Sequence, residues 1–133
     1  EEYAVRAANP DAEIMGWVSP KDVASWMKKS RALVFASLWY EGQPLVSMGA
    51  LSIGLPVIVA DWNAGVEQVD DKESGFIYSQ REDLTSMLSL MTPLTAKRLS
   101  QNAFKQRESY GLSVEGHVKQ LMEIYAKVQS RYL

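Results

Sequence analysis

Apolar and polar positions along the chain fall into alternating short blocks. A brief apolar run, AEIMGW (12–17), ends at a glycine and predicts a strand. SPKDVASWMKKS (19–30) predicts a helix, with Ser19 at the N-cap, Pro20 at the first helical position, Asp22 in the first turn and lysines at the end. ALVFAS (32–37) is continuously apolar, as a strand covered on both faces requires. After the loop LWYEGQ, a helix is expected from Pro44 to Ile53, stopped by Gly54. PVIVAD (56–61) is the most β-branched run and predicts a central strand. The loop WNAGVEQVDDKESG leads to a short strand, FIY (76–78), and beyond it the pattern is helical. Ser79 and Glu82 have the spacing of a capping box for a helix reaching Met91. TPLTAKRLSQNAFKQRES predicts a second helix, and Ser113 opens a third. In that last helix Val114, Val118, Leu121, Tyr125, Val128 and Tyr132 recur at three- and four-residue intervals, an amphipathic packing stripe.

Four strands separated by helices predict an α/β fold: a Rossmann-like, doubly wound parallel sheet with right-handed crossovers and helices on both faces. No repeat, low-complexity tract or linker interrupts it, so residues 1–133 read as one domain. Ligands in such sheets bind beyond the carboxyl ends of the strands. That rule selects four loops: Gly16 to Ser19, Ser37 to Gln43, Asp61 to Glu67, and Ser79 onward.

Composition narrows the chemistry. The net charge is −2 and the basic residues are scattered, which argues against a nucleic-acid face. Cysteine is absent, so disulfides, thiolate nucleophiles and zinc–thiolate sites are excluded. No apolar run approaches the roughly 18 residues that span a bilayer, so no transmembrane segment is expected. The start, EEYAVRAANPD, is acidic, unlike a signal peptide, and carries no initiating methionine, which points to a piece of something longer.

SLWYEGQPLV is the most informative loop. Glu41 places a carboxylate just past a strand end, and Gly42 allows close backbone approach. Pro44 presets the first helical turn and has no N–H, leaving the donors of Leu45, Val46 and Ser47. A helix amino terminus with free N–H groups is an anion site, and phosphate is its usual guest. Glu41 would repel a phosphate but suits neutral hydroxyls, so the pair points to a polyol joined to a phosphate. The competing reading is that Glu41 only complements the helix dipole.

YEGQPLVSMGALSIGLPVIVAD, followed by Glu67 six residues after Asp61, resembles the donor-binding segment of glycosyltransferase family 4. IMGWVSPKDVASWMKKSRALVFAS is similar to the family's preceding strand, turn, helix and strand, so the resemblance covers nearly the whole chain. It implies part of the C-terminal half of a GT-B glycosyltransferase, in which two Rossmann-like domains enclose the active site. The first strand–helix units, with basic residues for the diphosphate, and the acceptor domain have no counterpart here. The implied activity is transfer of a sugar, with retention, from a nucleotide diphosphate sugar to a glycan or lipid-linked acceptor bound by a missing N-terminal domain. No cofactor or metal is implied. The implied location is the cytoplasm, in solution or peripheral to the inner face of the membrane, within polysaccharide biosynthesis. This chain alone would be inactive.

Residue by residue, the resemblance makes Glu41 the catalytic-site carboxylate, holding donor-sugar hydroxyls with the backbones of Gly42 and Gln43. Beyond Pro44, the amides of Leu45 and Val46 face the diphosphate. Gly16, Trp17 and Val18 border the base, although packing is the competing role for Trp17. The family's second glutamate falls on Gly49, where a ribose-binding carboxylate is replaced by space; a helix-interior glycine otherwise costs roughly 1 kcal/mol relative to alanine. The family's aromatic becomes Gln43, and its two turn glycines become Asn63 and Ala64, of which only Asn readily tolerates positive φ. Glu67 reads as a cap for a short helix starting near Gly65, with contact at the donor end of the cleft as its competing role. His117 reads as a solvated helix histidine. Met87, Met91 and Met122 read as core filling. Two other functions compete: a non-catalytic nucleotide-sugar-binding or scaffold subunit with a decayed site, and sugar-nucleotide epimerisation, which needs titratable groups beyond Glu41.

Overall fold

A computed structural model describes residues 2–39, 41–109 and 114–132. The elements run α1 (Glu2–Ala8), α2 (Pro20–Met27), β1 (Leu33–Phe35), α3 (Leu45–Ser52), β2 (Val57–Ala60), a 3-10 helix (Ala64–Gln68), β3 (Gly75–Tyr78), α4 (Arg81–Leu90), α5 (Pro93–Ser109) and α6 (Val114–Tyr132). The strands form a parallel sheet in the order β1-β2-β3, with Leu33 opposite Val57 and Val57 opposite Gly75.

Alternation along β2 builds the core, because successive side chains point to opposite faces. Val57 and Val59 pack with Ala50 and Leu51 of α3 and with Ala103 of α5. Ile58 and Ala60 pack with Phe76, Tyr78, Ala96 and Leu99, flanked by Leu84 and Met87 of α4. All four β2 residues are buried, as a central strand requires.

Local signals set the helix ends. Ser19 caps α2, its Oγ accepting from the Asp22 N–H at 3.2 Å. Gly54, at φ +76°, closes α3: its N–H donates to the Leu51 carbonyl at 2.9 Å and the Leu55 N–H to the Ala50 carbonyl at 2.9 Å. That is a Schellman motif, with Leu55 buried behind it.

Several expectations need correction. Residues 12–17 form no strand, so the sheet has three strands among the described residues, not four. An apolar run becomes a strand only when it pairs with a neighbour's ladder, and residues 12–17 pair with neither edge strand, β1 or β3. The capping box of α4 lies one residue later than expected: Gln80 pairs with Asp83. Asn63 and Ala64 need no left-handed backbone, since Asn63 sits at φ −112°. Ser113 lies outside the described residues. In α6, Val114, Val118, Tyr125 and Val128 are exposed and, of the stripe's described side chains, only Leu121 is partly buried, so most of that face is uncovered by the described residues.

Tyr78 ends β3, packed edge-on against Trp62 with ring centroids 5.5 Å apart. Burial pushes its hydroxyl above the ordinary value of 10.0, against a smaller opposing pull from Arg81. The folded state thus favours the neutral phenol. Its contribution is fully present below the unfolded pKa and is lost as pH rises through the raised folded pKa. Tyr78→Phe is expected to flatten the alkaline loss of stability in urea titrations at graded pH. Equal alkaline slopes for the two proteins would contradict this.

Candidate functional site

At the carboxyl end of β1 the chain turns through Ser37 and Trp39 into the loop that carries Glu41. The Trp39 N–H donates to Ser37 Oγ at 3.3 Å, and Ser37 Oγ donates to Glu41 Oε1 at 3.1 Å. Glu41 is therefore half-buried and held at the strand end. Gly42 and Gln43 follow, both exposed. Pro44 is buried at the N-cap of α3 and makes no side-chain cap. The Ser47 N–H bonds the Pro44 carbonyl at 3.2 Å. This leaves the N–H groups of Leu45 and Val46 as first-turn donors with no helical partner. Leu45 is 77% exposed and Val46 37%.

Gly49 lies four residues after Leu45 and three after Val46, so the three share one face of α3. A Cβ at Gly49 would meet no atom within 4 Å, so the position is open. Val46 also lines a small apolar recess of about 230 Å³ with Met15 and Val18. Gly16, at φ +60°, makes the turn before Val18. Trp17 is fully exposed, so it packs against no other described residue. The structure thus gathers Val18 and Val46 at one recess, with Gly49 on the Val46 face of the helix.

A second cavity, about 420 Å³, opens on the other side of α3. Gly42 and Gln43 line it together with Met48 and Leu51 of α3, Glu67 and Gln68 of the 3-10 helix, and Ala103 of α5. Thus Val18 and Val46 line one recess and Gly42 and Gln43 the other, while Gly16, Trp17, Glu41, Pro44, Leu45 and Gly49 line neither.

Asn63 is a site residue that sequence reasoning missed as such. It is 1% exposed, its Oδ1 accepts from the Gly65 N–H at 2.9 Å, and its Nδ2 donates to the Trp39 carbonyl at 3.2 Å. Asn63, not Glu67, therefore caps the 3-10 helix, and it also ties that helix to the Glu41 loop. Glu67 is instead an exposed carboxylate at the cavity mouth. Gly65 permits this packing, since a Cβ there would lie 3.1 Å from both Pro44 Cγ and a Val59 methyl. His117 is exposed as expected, yet it too borders the cavity. An asparagine three residues after a strand is the local signal for the brace. His117 had none, because its position depends on how α6 packs.

No cluster of His, Cys, Asp or Glu among the described residues could hold a metal ion. No helix among them is long and apolar enough to cross a membrane.

The profile of the family described as glycosyl transferases group 1 matches residues 1–97. The chain belongs to the glycosyl transferases group 1 family. Among individual group 1 relatives, it is 28% identical over 116 residues to an Escherichia coli UDP-Gal:alpha-D-GlcNAc-diphosphoundecaprenol alpha-1,3-galactosyltransferase, covering 84% of this chain and 29% of that protein. It is 34% identical over 77 residues to an uncharacterised glycosyltransferase of Haemophilus influenzae, covering 54% of this chain and 22% of that one. The chain thus spans less than a third of the length of these curated relatives. Its fold is similar to part of the sucrose-phosphate synthase of Thermosynechococcus elongatus, with a TM-score of 0.78 at 18% identity, covering 98% of this chain and 34% of that one. It is also similar to the C-terminal domain of a glycosyl transferase group 1 family protein from Francisella tularensis, with a TM-score of 0.68 at 22% identity, over 81% of this chain and 58% of that one. The architecture is that of a GT-B C-terminal domain.

Proposed function

We propose that this chain is the donor-binding part of a retaining transferase of the family 4 type. The donor would be a nucleotide diphosphate sugar and the acceptor a glycan or a lipid-linked glycan, bound largely by another part of the protein. The carrying observation is the juxtaposition at α3: a held carboxylate, Glu41, beside a helix amino terminus whose first donors, Leu45 and Val46, are exposed. Free N–H groups favour the diphosphate, and a carboxylate accepts from sugar hydroxyls. The donor runs from Gly16, Trp17 and Val18 past Gly49 and the Leu45–Val46 amides to Glu41, Gly42 and Gln43. The E. coli relative, whose name states a UDP-Gal donor and a diphosphoundecaprenol-linked acceptor, supports this choice of substrate classes.

The chemistry in this reading is electrostatic. The helix terminus stabilises charge developing on the departing diphosphate, and the loop positions the sugar. No residue of the chain acts as a nucleophile, and no metal takes part. The protein works in the cytoplasm or peripherally at the inner face of the membrane, in polysaccharide synthesis.

Gly49 supplies the test. A charge-assisted hydrogen bond contributes roughly 1.5–3 kcal/mol, and each 1.4 kcal/mol is about tenfold in affinity. Position 49 has room for a side chain. Gly49→Glu is therefore expected to tighten binding of a ribonucleotide sugar about ten- to a hundredfold, and its 2′-deoxy counterpart less. Propensity alone raises helix stability by up to ~1 kcal/mol but cannot distinguish the two donors. Calorimetric titration with both decides the matter. Unchanged relative affinity would mean that position 49 does not face the ribose.

A further inference from the structure

The 420 Å³ cavity behind the Gly42–Gln43 loop has two unlike walls. Met48, Leu51 and Ala103 give one its apolar side chains, with Gln106 one turn along α5 from Ala103. Glu67 and Gln68 stand on another. Among the described residues the lining contains no lysine or arginine, and its one carboxylate, Glu67, stands with the polar side chains of Gln43, Gln106 and His117, so a neutral, hydrogen-bonding occupant suits it. Gln68 carries a further signal: its Oε1 is buried with no hydrogen-bond partner among the described residues. A buried amide oxygen without a donor is costly to the fold. The terminal amide torsion is soft, so rotation about it can present that oxygen to an occupant of the cavity.

The matching ligand is neutral and places an N–H donor directly beside a small apolar group. It also continues into hydroxyls where the cavity meets Gly42 and Gln43. We propose that this cavity takes the N-acyl group of an amino sugar, with the amide N–H donated to Gln68 Oε1 and the acyl methyl set against Met48, Leu51 and Ala103. The inference rests on reading the Gly42–Gln43 loop as sugar-facing. The amino sugar belongs to either the nucleotide donor or the glycan acceptor, and the two sources share this chemistry.

Protein-observed NMR titrations test it with methyl N-acetyl-α-glucosaminide and methyl α-glucoside. The N-acetyl glycoside should bind at least tenfold more tightly, since one methyl in an apolar pocket is worth roughly 10- to 200-fold. Its shifts should fall on the methyls of Met48, Leu51 and Ala103 and on the Gln68 side-chain amide. Gln68→Leu should remove most of the preference while holding or raising Tm, because it deletes a buried unpaired acceptor. Equal affinity for the two glycosides, shifts elsewhere, or no binding of either would overturn the proposal; the wild-type comparison decides even if the variant fails to fold. UDP is titrated separately. Shifts at Val18, Val46 and Gly49 with UDP but no N-acetyl preference would leave the donor-site reading standing and remove this one. Preference with no UDP shifts would do the reverse. A preference for UDP-N-acetylglucosamine over UDP-glucose assigns the group to the donor. A preference seen only with free glycosides, alongside bound UDP, assigns it to the acceptor.

Discussion

Gly75→Ala is expected to destabilise the fold by about 3 kcal/mol or more, at or beyond the upper end of ordinary overpacking. An added Cβ would collide with the Val57 carbonyl oxygen and sit 2.9 Å from Val69 Cγ1. The nearest obstacle is backbone, and it belongs to β2, which is paired on both sides and cannot yield without breaking a ladder. The same substitution at Gly49 has the opposite expected sign, because nothing stands within 4 Å there and alanine is the better helix former. Urea denaturation of both variants is the measurement. A Gly75→Ala midpoint equal to wild type would refute the account of the β2–β3 contact.

Glu41→Ala is expected to lower kcat/KM at least tenfold in the complete transferase, about 1.4 kcal/mol of transition-state interaction. Stability should change by no more than about 1 kcal/mol, because the side chain's partner among the described residues is the hydroxyl of Ser37. Ser37→Ala provides a graded companion: it leaves the carboxylate in place but removes its anchor, so a smaller loss is expected. Unchanged kinetics in Glu41→Ala would return this residue to complementing the helix dipole.

The two variants touch features of very different legibility. Helix starts and stops could be read from residues alone where the deciding group is local, as with Ser19 and Gly54. Burial of β2 followed from its β-branched run. Residues 12–17 were misread because an apolar run does not say who its ladder partner is. Ser79 and Gln80 each have an acid three residues on, so spacing could not choose between two overlapping capping boxes; the backbone did. The Glu41 loop stood out because its residues are contiguous. The second cavity did not, since its walls come from four separate elements, two of them helices distant in sequence. In sequence Asn63 signals only tolerance of positive φ, whereas its side chain spans two loops, a relation that exists only after β1 and β2 pair.

That span has a consequence for recognition. Because one buried amide fastens the turn after β1 to the turn after β2, the rim of the site is a single cross-linked arch already set before any guest arrives. Little ordering entropy is then left to be lost on association, and affinity can come from the contacts themselves. Cutting the arch at this one keystone would leave every ligand-facing side chain chemically intact, yet loosen the frame that aims them.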